Sequence, residues 1–168
     1  MLKGLARRLG RQRWVVALAR RLLAPVDRLV SRATGGRVVA LGLAPSLVLT
    51  TTGRRSGRPR SNPLQYVRDG DAFVVVGSNW GQPRHPAWAL NLLADPSATV
   101  TVTGRRVRVL ARLTTGAERD RLWRLLVAQW PPYESYRARA GGRTMHVFRL
   151  EPVDDRPEGA ARQGRQRT

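Results

Sequence analysis

The hydrophobic positions follow two different periodicities, and the change between them falls near residue 38. In residues 1–37 the apolar side chains recur mostly at gaps of three and four, the spacing of one helix face, and arginines fill the opposite face. Pro25 is expected to kink or split this helix. We predict a basic amphipathic helical extension over residues 1–37, which either packs on the protein body or lies on an anionic membrane surface.

From Val38 onward, short runs of β-forming residues alternate with turn residues. Asp69-Gly70 and Gly104-Arg105 each separate two such runs, which indicates two-residue hairpins. The predicted strands cover residues 38–41, 46–52, 64–68, 72–77, 98–103, 106–113 and 144–150. Six to seven antiparallel strands at this spacing predict a mainly β fold with helices (α+β), closed as a small barrel.

Two helices interrupt the predicted strands. The first covers residues 86–94 and has Pro86 at an early position, where proline is tolerated. The second runs from Thr115 to Trp130, and its opening residues, with Glu118 three positions after Thr115, have the pattern of a capping box. We assign residues 38–153 to a single barrel domain and residues 154–168, which contain no bulky apolar side chain, to a disordered tail.

Composition narrows the possible functions without selecting one. The chain has 168 residues, with 31 Lys and Arg against 11 Asp and Glu, and it contains no cysteine. The net charge of +20 favours an anionic partner, which leaves nucleic acid, lipid head groups and a phosphorylated cofactor open. The lack of cysteine excludes disulfides and thiolate chemistry, and no apolar run approaches the roughly 20 residues of a membrane-spanning helix.

The segment TTTGRRSGRPRSNP, residues 50–63, concentrates this charge between two predicted strands. Gly53 and Gly57 allow a tight reversal, and the amides of such a turn are expected to form an anion nest. The following arginines surround the turn: Arg54, Arg55, Arg58 and Arg60. The alternative is a solvated basic turn without a ligand.

Three further segments suggest a ligand site. The segment VGSNWG, residues 76–81, contains small and polar residues, which allow close approach to a ligand. Trp88 and Asn91 stand three apart on one predicted helix, and Tyr133 and Tyr136 have the same spacing. Together with the cationic turn, these residues outline a site for a flat ring with an anionic tail.

These segments resemble the deazaflavin-dependent nitroreductase and quinone reductase family, a branch of the flavin-reductase-like split β-barrels. The resemblance extends from about residue 47 to residue 153 and rests on four motifs in the family's order and spacing. The motifs are TTTGRRSGRPRSNPL, DGDAFVVVGSNWG, RHPAWALNLLADP and VAQWPPYESYRAR. The sequence departs from the commonest family pattern at Gln65, at Trp130 and at the bulky pair Asn79-Trp80.

The resemblance implies coenzyme F420 as cofactor, with its anionic tail on the four arginines of the turn. It places Ser78, Asn79 and Gly81 beside the deazaflavin or its phosphate, supported by Trp88 and Asn91. It places Tyr133 and Tyr136 beside the acceptor. Ser78 and Tyr133 are candidates for supplying a hydrogen bond or a proton, so the candidate catalytic residues are Ser78, Tyr133 and Tyr136.

The resulting hypothesis is a reductase that transfers hydride from reduced F420 to a quinone-like or nitroaromatic acceptor. It would be cytoplasmic, attached peripherally to the inner face of the membrane through residues 1–37, and paired as a homodimer. We expect no nucleic-acid partner, and no metal site because His85 and His146 lack a third ligand at a suitable spacing. Two alternatives stay open: a basic protein that binds nucleic acid or anionic lipid, and a split barrel that binds FMN or haem.

Overall fold

The computed structural model describes residues 45–153, which form a seven-stranded antiparallel sheet and three helices. The strands are β1 (Ser46–Thr52), β2 (Pro59–Gln65), β3 (Val67–Asp69), β4 (Ala72–Val76), β5 (Ser97–Val102), β6 (Arg105–Leu113) and β7 (Val147–Pro152). The helices are α1 (Ala87–Ala94), α2 (Gly116–Gln129) and α3 (Pro132–Arg139), with a short 3-10 turn at Asn79–Gly81. The predicted extension over residues 1–37, the strand at 38–41 and the tail at 154–168 lie outside the described residues.

The sheet is ordered β2-β1-β5-β6-β7-β4-β3 and curls into a half-barrel with a hydrophobic cluster on each face of β4. Successive side chains of a strand point to opposite faces. Phe73 and Val75 therefore join the cluster under α1, whereas Val74 and Val76 join the cluster under α2 and α3. All five residues of β4 are buried, because helices cover both of its faces.

The predicted mainly β fold with six to seven antiparallel strands is confirmed. Strand β1 has the predicted bounds, but the single strand predicted at residues 64–68 spans the end of β2 and most of β3, and β2 itself begins at Pro59. Proline cannot donate a hydrogen bond to a sheet, so Pro59 and Pro63 disfavour a strand here. They are tolerated because β2 is an edge strand that pairs only with β1 among the described strands.

The helices show one wrong prediction and one element that the sequence analysis did not identify. Thr115 is the N-cap of α2 but makes no side-chain capping hydrogen bond. Glu118 instead accepts hydrogen bonds from Arg112 at 2.7 and 2.8 Å, so the predicted capping box is wrong. Helix α3 was not predicted, and its Glu134 accepts a hydrogen bond from Trp123 Nε1 at 2.8 Å. None of the helices within residues 45–153 is long and apolar enough to cross a membrane.

Candidate functional site

The turn between β1 and β2 depends on two glycines, and we call residues 53–60 the arginine turn. Gly57 has a φ of +63°, a conformation that glycine adopts without the strain of a side chain. Gly53 is closely packed, because a Cβ atom there would lie 2.7 Å from the Ser56 hydroxyl oxygen and 3.1 Å from the Arg58 carbonyl oxygen. Both glycines therefore serve the tight reversal that the sequence predicts.

Most backbone amides of the arginine turn are hydrogen-bonded within the protein. The Ser56 and Gly57 amides donate to the Gly53 carbonyl at 3.0 and 2.7 Å. The Arg54 amide donates to Asn91 Oδ1 at 3.2 Å. The predicted nest of exposed amides is therefore wrong, which leaves the guanidinium side chains as the predicted anion-binding groups of this turn.

The arginine side chains of this turn are exposed, and within residues 45–153 none of them pairs with an acid. They are Arg54, Arg55, Arg58 and Arg60. A guanidinium group presents parallel N–H donors that match a carboxylate or a phosphate. Four such groups without acidic partners among residues 45–153 on one hairpin fit a ligand with several negative charges.

Asn91 supports the arginine turn from beneath. Its side chain is buried on α1, where Oδ1 accepts from the Arg54 amide and Nδ2 donates to Thr51 Oγ1 at 3.1 Å. Trp88, one turn earlier on α1, is also buried and packs against Phe148 with ring centroids 5.9 Å apart. Asn91 thus has both polar atoms engaged within the protein, and direct contact of Asn91 or Trp88 with a cofactor stays a prediction.

A second turn follows β4, and we call residues 78–82 the left-handed turn. Asn79, Trp80 and Gly81 have φ values of 45°, 57° and 75°. The left-handed region costs a residue with a side chain on the order of 1–2 kcal/mol, and such strain persists only where the surroundings impose it. Ser78 and Asn79 are partly exposed, whereas Gly81 is buried.

Gly81 is fixed by its contact with α3. A Cβ atom at this position would lie 2.6 Å from the carbonyl oxygen of Tyr136 and 2.9 Å from its Cα atom. The neighbouring Trp80 ring lies 6.1 Å from the Tyr136 ring. The left-handed turn is therefore packed against the backbone and the side chain of Tyr136.

Arg143 binds the left-handed turn from its other side, and sequence reasoning did not identify this residue. Its guanidinium donates to the carbonyls of Gly77, Ser78 and Gln82 at 3.0, 2.8 and 3.0 Å. Burial lowers the pKa of Arg143 below the ordinary value for arginine. No motif identifies this role, because the bonded carbonyls lie more than 60 residues away in sequence.

Tyr133 and Tyr136 lie in the core cluster under α2 and α3, with 5% and 3% of their surface exposed. The Tyr133 hydroxyl donates to Gln65 Oε1 at 3.3 Å, at the end of β2. Burial raises the pKa of both phenols, so they are protonated at neutral pH. The spacing of three does place the rings together, 5.9 Å apart, but on the buried face of α3.

His85 and His146 stack on each other next to Arg143, with ring centroids 4.1 Å apart and an interplanar angle of 13°. Arg143 Nη1 lies 3.4 Å from His85 Nδ1. Burial, with the charge of Arg143, lowers the pKa of both histidines. Within residues 45–153 no group of three or more His, Asp or Glu side chains is placed to hold a metal ion.

The curled seven-stranded sheet and its helices define the protein as a split β-barrel. A profile of the F420H(2)-dependent quinone reductase family matches residues 24–152. An F420H(2)-dependent quinone reductase of Mycobacterium tuberculosis strain H37Rv is 40% identical over 101 residues, which cover 58% of this chain and 68% of that protein.

Two solved structures are also similar. One is an F420-H2 dependent reductase, FDR-A, with a TM-score of 0.59 and 35% identity over 64% of this chain and 94% of that chain. The other, described as a domain-swapped dimer, has a TM-score of 0.61 and 32% identity over 76% of this chain and 94% of that chain.

The chain therefore belongs to the F420H(2)-dependent quinone reductase family. This membership confirms the predicted enzyme class, an oxidoreductase, and the predicted cofactor, F420. It does not assign roles to individual residues, which have to be argued from the geometry.

Proposed function

We propose that the protein transfers a hydride from reduced F420 to a quinone, with the arginine turn binding the anionic tail of the coenzyme and the left-handed turn lying beside its ring. The main support is the way α1 connects these two turns. Asn91 bonds the arginine turn, and a Cβ atom at Gly77, just before the left-handed turn, would lie 3.4 Å from Pro86 at the start of α1. Pro86 and Asn91 are five residues apart, about 7.5 Å along a helix axis.

Strand β2 gives the length of the proposed site. Arg60 lies near its start and Gln65 at its end, five residues apart and therefore about 17 Å along an extended strand. Gln65 accepts the hydrogen bond of Tyr133, so the strand leads from the cationic turn to the tyrosine cluster. This separation suits a long cofactor that is anionic at one end and aromatic at the other.

The residues of the chain bind and orient F420 and the quinone, and they supply a proton to the quinone. Reduced F420 supplies the hydride when it is bound. Addition of one hydride and one proton reduces the quinone to the hydroquinone. Within residues 45–153 the Ser78 hydroxyl has no hydrogen-bond partner, so it is available to donate to the quinone oxygen on which negative charge develops.

The two tyrosines have different proposed roles. The protonated phenol of Tyr133 donates its one hydrogen to Gln65 Oε1 and so orients that amide, and donation to an acceptor would require this bond to be exchanged. Tyr136 supports the left-handed turn through its contacts with Trp80 and Gly81. A nitroaromatic acceptor is the alternative to a quinone at the same place, because it too accepts a hydride and presents an oxygen to Ser78.

The proposed surroundings of the enzyme go beyond the described residues. Residues 1–37 would attach it to the inner, cytoplasmic face of the membrane, where quinones dissolve, and the support is the basic amphipathic pattern of that segment. The relative described as a domain-swapped dimer supports a homodimer. Sedimentation with anionic liposomes, comparing the full chain with a chain that lacks residues 1–37, tests the attachment, and equal binding of both would contradict it.

The experiment that tests the proposed function combines binding and turnover. The fluorescence anisotropy of F420 should rise saturably as the protein is added, and F420H2 should be oxidised only when a quinone is present. Replacing Ser78 by Ala should lower kcat by about tenfold to a hundredfold while leaving F420 affinity unchanged, because one hydrogen bond to developing charge is lost. Unchanged kcat would remove Ser78 from the reaction, and no saturable binding would contradict the whole proposal.

A further inference from the structure

We infer that Arg143 is a positioning residue for the reaction, because its guanidinium holds the carbonyls on both sides of the left-handed turn and so fixes Ser78 beside α1. This inference rests on the proposed function, in which Ser78 lies next to the reacting ring. In the proposed arrangement Arg143 touches neither F420 nor the quinone, and it acts on the reaction through the position of Ser78.

The bonds of Arg143 enclose the strained residues. Gly77 and Ser78 come immediately before Asn79, and Gln82 comes immediately after Gly81. All three carbonyls accept from a single planar group, whose N–H donors have fixed directions. The three hydrogen bonds hold the two ends of the turn at a constant separation. Strained left-handed residues persist only where the surrounding structure imposes their conformation in this way.

Other hydrogen bonds close the left-handed turn within its own loop. The Gly81 and Gln82 amides donate to Ser78 and Asn79 at 2.9 and 3.0 Å, which closes the turn locally. Asn79 Nδ2 donates to the Arg84 carbonyl at 2.8 Å, again within the same loop. Arg143 is the residue that connects this loop to the segment before β7, together with the bond from the Gly77 amide to the His146 carbonyl at 2.8 Å.

The stacked histidines provide a further contact of the guanidinium. The His85 ring stacks on that of His146, and Arg143 Nη1 lies 3.4 Å from His85 Nδ1. The three bonded carbonyls and this ring nitrogen surround the guanidinium with acceptors. An ammonium group could retain the charge but could not reach three separate carbonyls with the same geometry.

Arg143→Lys is therefore the informative variant, and Arg149→Lys is its matched control. Arg149 lies on β7, whereas Arg143 lies just before this strand. The Arg149 side chain also donates three hydrogen bonds, to Asp69 Oδ2, the Asp69 carbonyl and Glu151 Oε1. Asp69 lies at the opposite end of the β3–β4 hairpin from Gly77, about 17 Å along β4. Loss of comparable bonds at Arg149 should leave the left-handed turn intact.

The first measurement is amide hydrogen exchange of the protein without cofactor. In Arg143→Lys, we expect the Gly81 and Gln82 amides to exchange about tenfold faster or more, whereas the Gly53 and Gly57 amides of the arginine turn keep their rates. Arg149→Lys should leave all four rates unchanged. Unchanged exchange at Gly81 and Gln82 in Arg143→Lys would overturn the inference.

The second measurement separates binding from turnover. Arg143→Lys should keep the Kd for oxidised F420 within about twofold, because the arginine turn is intact, and should lower kcat with a water-soluble benzoquinone by about tenfold or more. Arg149→Lys should retain kcat. An unchanged kcat in Arg143→Lys, or an equal loss in both variants, would overturn the inference. A wild-type protein that neither binds F420 nor reduces the quinone would instead overturn the proposed function, whatever the exchange rates.

Discussion

The arginine turn and the left-handed turn flank α1, and arginine plays a different part in each. In the arginine turn, four guanidinium groups face solvent without acidic partners among residues 45–153, and an amide side chain, Asn91, supports the backbone. In the left-handed turn, one guanidinium supports the backbone from inside, and the residues toward solvent are Ser78 and Asn79. We propose that arginine binds a ligand in the first turn, whereas in the second turn it bonds backbone carbonyls of the protein.

The difference teaches that the partners of an arginine, rather than its charge, indicate its role. Arg143 has used its donors on carbonyls, and Arg121 and Arg149 share the carboxylate of Asp69. Those groups stabilise the fold and have little capacity left for a ligand. The arginines of the arginine turn have no acidic partner among residues 45–153, so they can bind an anion without first breaking an internal ion pair.

The largest expected effect comes from Gly81→Ala in the left-handed turn. The new Cβ atom would meet the Tyr136 carbonyl oxygen at 2.6 Å, and its residue would keep a φ of +75°. We expect the free energy of unfolding to fall by about 3 kcal/mol, from backbone strain together with overpacking against backbone that cannot move aside. Urea denaturation measures this value.

Gly57→Ala in the arginine turn is the matched control for Gly81→Ala. Gly57 has a similar φ of +63°, but a Cβ atom there would have no neighbour within 4 Å. Only the backbone strain applies, so the loss should be about 1 kcal/mol. Equal losses in the two variants would show that the contact with Tyr136 does not constrain the left-handed turn.

The second prediction concerns Arg55→Ala combined with Arg60→Ala. Two charge-assisted hydrogen bonds to the anionic tail should be lost, which corresponds to about 2 kcal/mol and an increase of about 30-fold in the Kd for F420. Stability should change little, since neither side chain pairs within residues 45–153. Anisotropy titration at two salt concentrations measures the effect, which should shrink at the higher salt concentration.

Arg105→Ala combined with Arg106→Ala provides the control for charge alone. These exposed arginines lie on the β5–β6 hairpin. The register pairs Val48 with Thr101 and Thr51 with Ala98, so that hairpin lies at the opposite end of β1 from the arginine turn. An equal increase in Kd from both double variants would mean that F420 responds to the net charge and not to the turn.

The sequence predicted the arginine turn well, because its information is local. Two glycines and four arginines within eight residues specify both the reversal and its charge. The strands were predictable for the same reason, since short runs of β-forming residues between turn residues are a local signal. The edge strand β2 was the exception, because tolerance of Pro59 and Pro63 depends on the order of strands in the sheet.

The left-handed turn was predictable as a turn but not as a strained one. Its conformation depends on Arg143 and Tyr136, which lie more than 50 residues further along the chain. The capping box failed in a similar way, because Arg112 on β6 competes for Glu118. The spacing of Tyr133 and Tyr136 correctly predicted that their rings lie together on one helix face. Spacing alone does not say whether that face contacts a ligand or the core.

The third prediction concerns Asn91→Leu, which removes the side chain that supports the arginine turn and should moderately lower both stability and F420 affinity. The variant leaves the Arg54 amide and the Thr51 hydroxyl without their partner, which should lower the free energy of unfolding by about 1–2 kcal/mol. The affinity for F420 should also fall severalfold, because the turn loses its attachment to α1. Thr51→Val removes only one of the two bonds, so it should cost less stability and leave the affinity unchanged.

The smallest predicted effect is a pH dependence of the free energy of unfolding, which arises from the two histidines beside the left-handed turn. Burial and the charge of Arg143 lower the pKa of His85 and His146 in the folded state, whereas in the unfolded chain they titrate near the ordinary value of 6.5. Below about pH 6.5 the unfolded state therefore binds more protons than the folded state, and the free energy of unfolding falls as the pH decreases. The slope cannot exceed about 1.4 kcal/mol per pH unit for each histidine.

Urea denaturation between pH 7.5 and 5.5 isolates these two groups. The carboxylates with lowered pKa values titrate further down, as Asp69 does at about 2 because Arg121 and Arg149 bind it. His85→Phe keeps a ring against His146 and removes one of the two titrating groups, so it should reduce the slope. The arginine turn contains no histidine, and the Kd of the protein for F420 should therefore stay constant over this range if the two turns act separately. A Kd that changes in parallel with stability would mean that Arg143 and the two histidines also affect F420 binding by the arginine turn.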